Sequence, residues 1–229
     1  VKKFVPVYEG ELRKHSIQVP RCISECSGIR IFGRRIKSLV FSTDVAIIKN
    51  INADAVIAVY PFTPQQIIAD AIVSTSSLPV FCGVGGGTTT GARVVMLAKD
   101  AEAFGAMAVV VNAPTTNDVI AQIADIIDIP IVVTVLDENT DIDARLEAGA
   151  TIFNVSAAAR TPEVVRILRE RYPDLPIIAT GGPSKESIRE TVAAGANAIS
   201  FTPPTAEELF HGLMTRYRNE HESKTKGEA

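Results

Sequence analysis

From residue 36 onward the chain alternates short, β-branched apolar runs with longer stretches of helical composition. The runs Ile36–Ser42, Ala55–Tyr60, Pro79–Cys82, Ala106–Asn112, Ile129–Val135, Ala150–Val155, Leu175–Thr180 and Ala196–Phe201 predict eight strands. Most are nearly continuous in apolar residues rather than alternating. That pattern belongs to parallel strands buried on both faces, with helices on one side and a packed interior on the other. Eight strand–helix units predict a single closed (β/α)8 barrel; the count alone also fits an open doubly wound sheet.

The punctuation between runs favours closure. The fourth, sixth and eighth runs start at Gly105-Ala106, Gly149-Ala150 and Gly195-Ala196, and the second at Ala53-Asp54-Ala55. Gly ends a helix in the left-handed conformation, and Ala lets the strand enter the sheet closely. The third, fifth and seventh start at Leu78-Pro79, Ile129-Pro130 and Leu175-Pro176, where Pro suits the first position of a strand. Steps of 51, 44 and 46 residues from Ala55 to Ala106, Ala150 and Ala196 each measure a quarter barrel. Thr63-Pro64-Gln65-Gln66 and Thr205-Ala206-Glu207-Glu208 read as capping boxes, and Thr161-Pro162-Glu163 as a helix start. Residues 1–35 form an extension, a short helix plus irregular chain, suited to plug the barrel base or to make an oligomer contact. Residues 36–218 form the barrel, and the charged tail 219–229 is expected to fray.

Composition narrows the function classes. The 23 Lys+Arg against 26 Asp+Glu give a formal charge of −3, without the basic excess of a nucleic-acid binder. No run approaches roughly 18 apolar residues, so no membrane span is expected, and Val1–Pro6 lack a signal-peptide pattern. Cys22, Cys26 and Cys82 are expected to remain thiols in a cytoplasmic protein.

In such barrels chemistry gathers at the strand C-termini. After the seventh strand, Gly181 and Gly182 let the backbone approach a ligand, and the helix starting near Ser184 offers free amides to an anion. One alternation of strand residues directs Ser42, Cys82, Asn112, Thr134, Asn154, Thr180 and Thr202 inward, a polar, uncharged floor. Ionisable groups then come from loops. Asp137 and Glu138, in the cluster Asp137-Glu138-Asn139-Thr140-Asp141, are the catalytic candidates: one can act as a general base, or two can hold Mg²⁺. Arg160 is a candidate partner for an anion. Gly85, Gly86 and Gly87, in Gly83-Val84-Gly85-Gly86-Gly87-Thr88-Thr89-Thr90-Gly91, form a candidate lid that does not follow the P-loop pattern. Neither the cysteines nor His15, His211 and His221 complete a zinc site or a nucleophile–His pair, so no cofactor is predicted.

Ala179-Thr180-Gly181-Gly182-Pro183-Ser184 resembles the phosphate-binding superfamily of barrels, which includes ketodeoxyphosphogluconate aldolase and thiamin-phosphate synthase. Phe32–Ser38, Val59–Pro64 and Gly83–Gly87 resemble a group of bacterial barrels carrying only the label hydrolase. These resemblances imply a barrel enzyme acting on a small anionic, phosphorylated or carboxylated metabolite. Hydrolase is the leading class, with lyase and isomerase open. Two departures qualify this. Ser200-Phe201-Thr202-Pro203-Pro204 replaces the second Gly-rich loop of the family, and the sixth strand lacks the aldolase's Schiff-base Lys. Aldolase activity is therefore not expected, and a non-catalytic binding or assembly barrel is the alternative. A homo-oligomer is expected in either case.

Overall fold

The computed structural model describes residues 3–8, 10–11, 16–182 and 184–227. A hairpin of β1 (Ile29–Ile31) and β2 (Arg34–Ile36) precedes the barrel. The eight predicted strands all form: β3 (Ser38–Phe41), β4 (Ala55–Ala58), β5 (Val80–Gly85), β6 (Ala108–Val111), β7 (Ile131–Val135), β8 (Ile152–Val155), β9 (Ile177–Thr180) and β10 (Ala198–Phe201). They close in the order β10-β3-β4-β5-β6-β7-β8-β9, every pair parallel. The chain is a (β/α)8 barrel, and the open-sheet alternative is excluded.

The connecting helices are α1 (Val45–Lys49), α2 (Gln66–Thr75), α3 (Ala92–Ala103), α4 (Asn117–Ala124), α5 (Ile142–Glu147), α6 (Thr161–Arg171) and α7 (Lys185–Ala193); α8 (Ala206–Gly227) follows β10. Most strands start about two residues later than predicted because the Gly-Ala and Leu-Pro pairs serve as connectors. Ala106 N, for example, donates to Ala101 O at 2.9 Å, still closing the preceding helix. β5 runs beyond its predicted end, with a register irregularity against β6 between Gly83 and Gly85.

Alternation along the strands sorts the core into two layers. Leu39, Ile57, Phe81, Val110, Val132 and Ile152, with residues from β9 and β10, fill the barrel interior. Val40, Val56, Val109, Phe153 and Ile177 face the helices. Each fully buried large side chain contributes roughly 1.5–3 kcal/mol, so a one-residue slip of any strand would forfeit several kcal/mol. Ile31 and Ile36 of the hairpin join the inner layer and close the barrel base. The short 3-10 helix Arg21–Glu25 rests on α7.

Of the two predicted capping boxes, one forms and one does not. At α8 the predicted box forms: Thr205 N donates to Glu208 Oε2 at 2.8 Å and Glu208 N to Thr205 Oγ1 at 3.2 Å. At α2 it does not. The helix begins at Gln66, and Gln65 N donates to the Tyr60 hydroxyl at 2.9 Å instead. Pro64 biases Thr63 toward extended backbone, which delays the helix. The segment expected to fray continues α8 to Gly227.

Candidate functional site

The C-terminal mouth of the barrel has a polar floor. Counting two residues on from the inner layer, Asn112, Thr134, Asn154, Thr180 and Ser200 direct their heads inward; Thr134 pairs with Asn154 in register, and Thr180 with Ser200. Ser42 and Cys82, predicted to join this floor, have the opposite phase. Cys82 lies in the helix-facing layer, and Ser42 Oγ accepts from Asp44 N at 3.1 Å. Their strands instead direct Leu39 and Phe81 inward, because the narrow interior needs bulky apolar residues there. Burial pushes the Cys82 thiol up to about 12, so it carries no thiolate near neutral pH.

Asn154 is the most informative member of the floor. It is only 9% exposed, yet its Oδ1 has no hydrogen-bond partner. An unsatisfied buried polar group costs about 1–3 kcal/mol.

The loop after β9 carries Gly181, Gly182 and Ser184; Pro183 lies outside the described residues. Ser184 caps α7 through a capping box: its Oγ accepts from Ser187 N at 3.1 Å, and Ser187 Oγ accepts from Ser184 N at 3.2 Å. Gly182 has φ +76°, and a Cβ there would stand 2.6 Å from Ser187 Oγ. At Gly181 a Cβ would meet Ile199 Cγ2 at 2.7 Å. Both glycines are thus required by the turn and its packing, whatever binds above them. Ser184 Oγ takes up the Ser187 amide, so among the first-turn amides of α7 those of Lys185 and Glu186 are left without an intrahelical acceptor at the positive end of the helix dipole.

Glu138 and Arg160 meet across the loops after β7 and β8. Arg160 Nη2 donates to Glu138 Oε1 at 2.7 Å, and Arg160 Nε to Glu163 Oε2 at 3.1 Å. The residue's own backbone amide and the Arg160 guanidinium hold the Glu138 carboxyl below the usual range, so Glu138 is ionised at neutral pH. Its Oε2 is buried without a partner. Asp137 Oδ1 accepts from Asn139 N at 2.8 Å in a local turn. Asp141, the last of the cluster, caps α5 by accepting from Ala144 N at 3.0 Å.

Asn112 stands apart from the anion loop, beside the glycine-rich segment. Gly86 N donates to Thr89 O at 2.9 Å, and Asn112 N donates to Gly85 O at 3.0 Å, so the segment folds back on itself and is tied to the end of β6. Gly86 has φ +108°, and a Cβ there would meet Asn112 Cβ at 2.5 Å. Gly87 stands clear, with nothing within 4 Å of its Cβ position. Between this hairpin and the loop after β4 lies a pocket of about 220 Å³, bordered by Asn112. Arg145, which sequence reasoning missed, braces the loop after β6. Its guanidinium donates to Ala113 O at 3.0 Å, Asn117 Oδ1 at 2.9 Å and Thr115 O. Nothing in its local sequence distinguishes it from a solvated helix Arg.

Among the described residues, no three His, Cys, Asp or Glu side chains come together as a metal site. Arg160 takes Glu138 Oε1 and the local turn takes Asp137 Oδ1, so a Mg²⁺ held by the acidic cluster would use the other carboxylate oxygens. His211 lies on α8, and His15 lies outside the described residues.

No family profile matches the sequence. Over 93 residues the chain is 28% identical to thiamine-phosphate synthase of Oceanobacillus iheyensis, covering 41% of this chain and 39% of that relative. The chain thus spans about two-fifths of the curated relative it matches. Among solved structures it is similar to phosphonopyruvate hydrolase, with TM-score 0.60 and 13% identity over 90% of this chain and 86% of that one. It is similar too to phosphoenolpyruvate phosphomutase from Streptomyces platensis subsp. rosaceus, with TM-score 0.59 and 14% identity over the same shares. A third is 2,3-dimethylmalate lyase, a member of the PEP mutase/isocitrate lyase superfamily, with TM-score 0.58 and 13% identity over 90% and 86%. At these identities the likeness establishes the barrel fold.

Proposed function

We propose that this barrel is an enzyme acting on a small anionic metabolite bound at the C-terminal mouth. Asn154 carries the reading, because its buried Oδ1 finds no partner within the protein and it lies at the strand ends where ligands of such barrels sit. Gly181, Gly182, Ser184 and the first turn of α7 hold the anionic group, with Arg160 alongside. Asn154 and Thr180 orient the polar body, and Asn112 contributes from the opposite side. Asp137 moves protons; Glu138, kept ionised, serves as a fixed charge that positions Arg160. The similar structures are a hydrolase, a mutase and a lyase named for small acids, which supports these reaction classes without choosing among them. A binder without chemistry is the second reading, favoured by the wholly uncharged floor.

Ser184→Asp tests the anion site while keeping the fold. Asp is as good an N-cap as Ser, so stability should hold, but its charge opposes an anion at the same helix end. Calorimetric titration with inorganic phosphate and glycerol 3-phosphate should show at least ~10-fold weaker binding by the variant. Equal affinity in the two proteins would defeat the assignment. Homo-oligomer formation is proposed on α8, where Phe210, Leu213, Met214 and Tyr217 lie on one face and are all exposed.

A further inference from the structure

We propose that the pocket between the loops after β4, β5 and β6 is a second site, which binds an uncharged planar ring. It goes beyond the anion reading and shares only Asn112 with it. β5 lies four strands from β9 around the closed ring, so the pocket faces the anion loop across the mouth.

Three features define the occupant. First, Asp, Glu, Lys, Arg and His are absent from the lining. A charged group entering it would lose water and find no opposite charge, so the site selects neutral ligands. Second, its volume is about 220 Å³. A cavity of about 150 Å³ takes a benzene ring, so this one holds a single ring with a small substituent. Third, its lining combines the backbone of Gly83, Gly85 and Gly86 with the rings of Tyr60 and Phe62.

The glycine wall is held in place, which turns a candidate lid into a built surface. The Gly86–Thr89 bridge and the Asn112–Gly85 hydrogen bond fix it from both sides. Phe62 is 74% exposed, an aromatic face that a stacked ring would cover. Asn112 offers a donor and an acceptor from one amide, so the ring should carry a matching carboxamide or lactam edge. The class is therefore a neutral aromatic or heteroaromatic amide.

Benzamide and benzoate separate these requirements, since they share a ring and differ in charge. Titrated into the full ¹⁵N-labelled chain, benzamide should shift the Gly85, Gly86, Thr88 and Asn112 amides with a millimolar dissociation constant, as expected for so small a ligand. Benzoate should bind at least ~10-fold more weakly. Phe62→Ala, at an exposed position, should weaken benzamide ~10-fold by removing the stacking face. Asn112→Leu should do the same with the fold retained by circular dichroism. The proposal is overturned if benzamide gives no saturable shift at these amides, if benzoate binds equally, or if Phe62→Ala leaves benzamide affinity unchanged. Inorganic phosphate, added separately, should shift the Gly182 and Ser184 amides. Its failure to do so would count against the anion site and leave the ring site standing.

Discussion

At the scale of single residues, the sharpest distinction lies between groups that serve the fold and groups the fold tolerates. Gly181 and Gly182 serve it, since a side chain at either would strike Ile199 or Ser187. Asn154 is tolerated: its buried Oδ1 has no hydrogen-bond partner within the protein. Replacing it by Leu, similar in size and apolar, should therefore raise stability by about 1 kcal/mol in urea unfolding. The same change should remove glycerol 3-phosphate binding. A destabilised Asn154→Leu would mean that the amide serves the fold after all. Cys82 marks the opposite case, a chemically tempting group whose burial keeps it protonated.

Between elements, the mouth is braced by long polar side chains crossing from one loop to the next. Arg145 ties α5 to the loop after β6, and the Glu138–Arg160 pair ties the loop after β7 to that after β8. The pair makes the mouth acid-sensitive in a defined direction. The Glu138 carboxyl is held below its ordinary 4.5, so its stabilising contribution is complete above that value and fades as pH falls through the lower, folded value. The difference in melting temperature between the native chain and Glu138→Gln should be constant from about pH 6 to 8 and shrink toward zero below about pH 4. Because the pair is partly exposed, about 0.5 M salt should reduce the difference. A gap that persists in acid would assign the effect to packing.

For the whole molecule, both ends of the barrel are treated differently. The base is covered by the β1–β2 hairpin, with Ile31 and Ile36 buried in the inner layer, whereas the mouth ends in a polar layer that includes Asn154 and Ser200. On the outside, α8 leaves Phe210, Leu213, Met214 and Tyr217 exposed along one stripe. If that stripe joins two copies, Leu213→Glu combined with Tyr217→Lys should halve the solution mass measured by light scattering while leaving the circular dichroism of the barrel intact. An unchanged mass would place any oligomer contact elsewhere.

The architecture was legible in the order of residues because local rules carry it. Buried parallel strands need continuous apolar runs, helices need caps, and Gly-Ala or Leu-Pro must stand where one becomes the other; all eight strands could be located from these alone. The closed order, the covering of the base by Ile31 and Ile36, and the phase of each strand depended on how the interior fills. Filling is a property of several strands at once, which is why Ser42 and Cys82 turned outward while Asn154 turned in. The mouth was legible as a set of residue types but not as a geometry. That Glu138 would find Arg160, Arg145 the loop after β6, and Gly86 the side of Asn112 was decided in space, between residues whose sequence neighbours say nothing of one another.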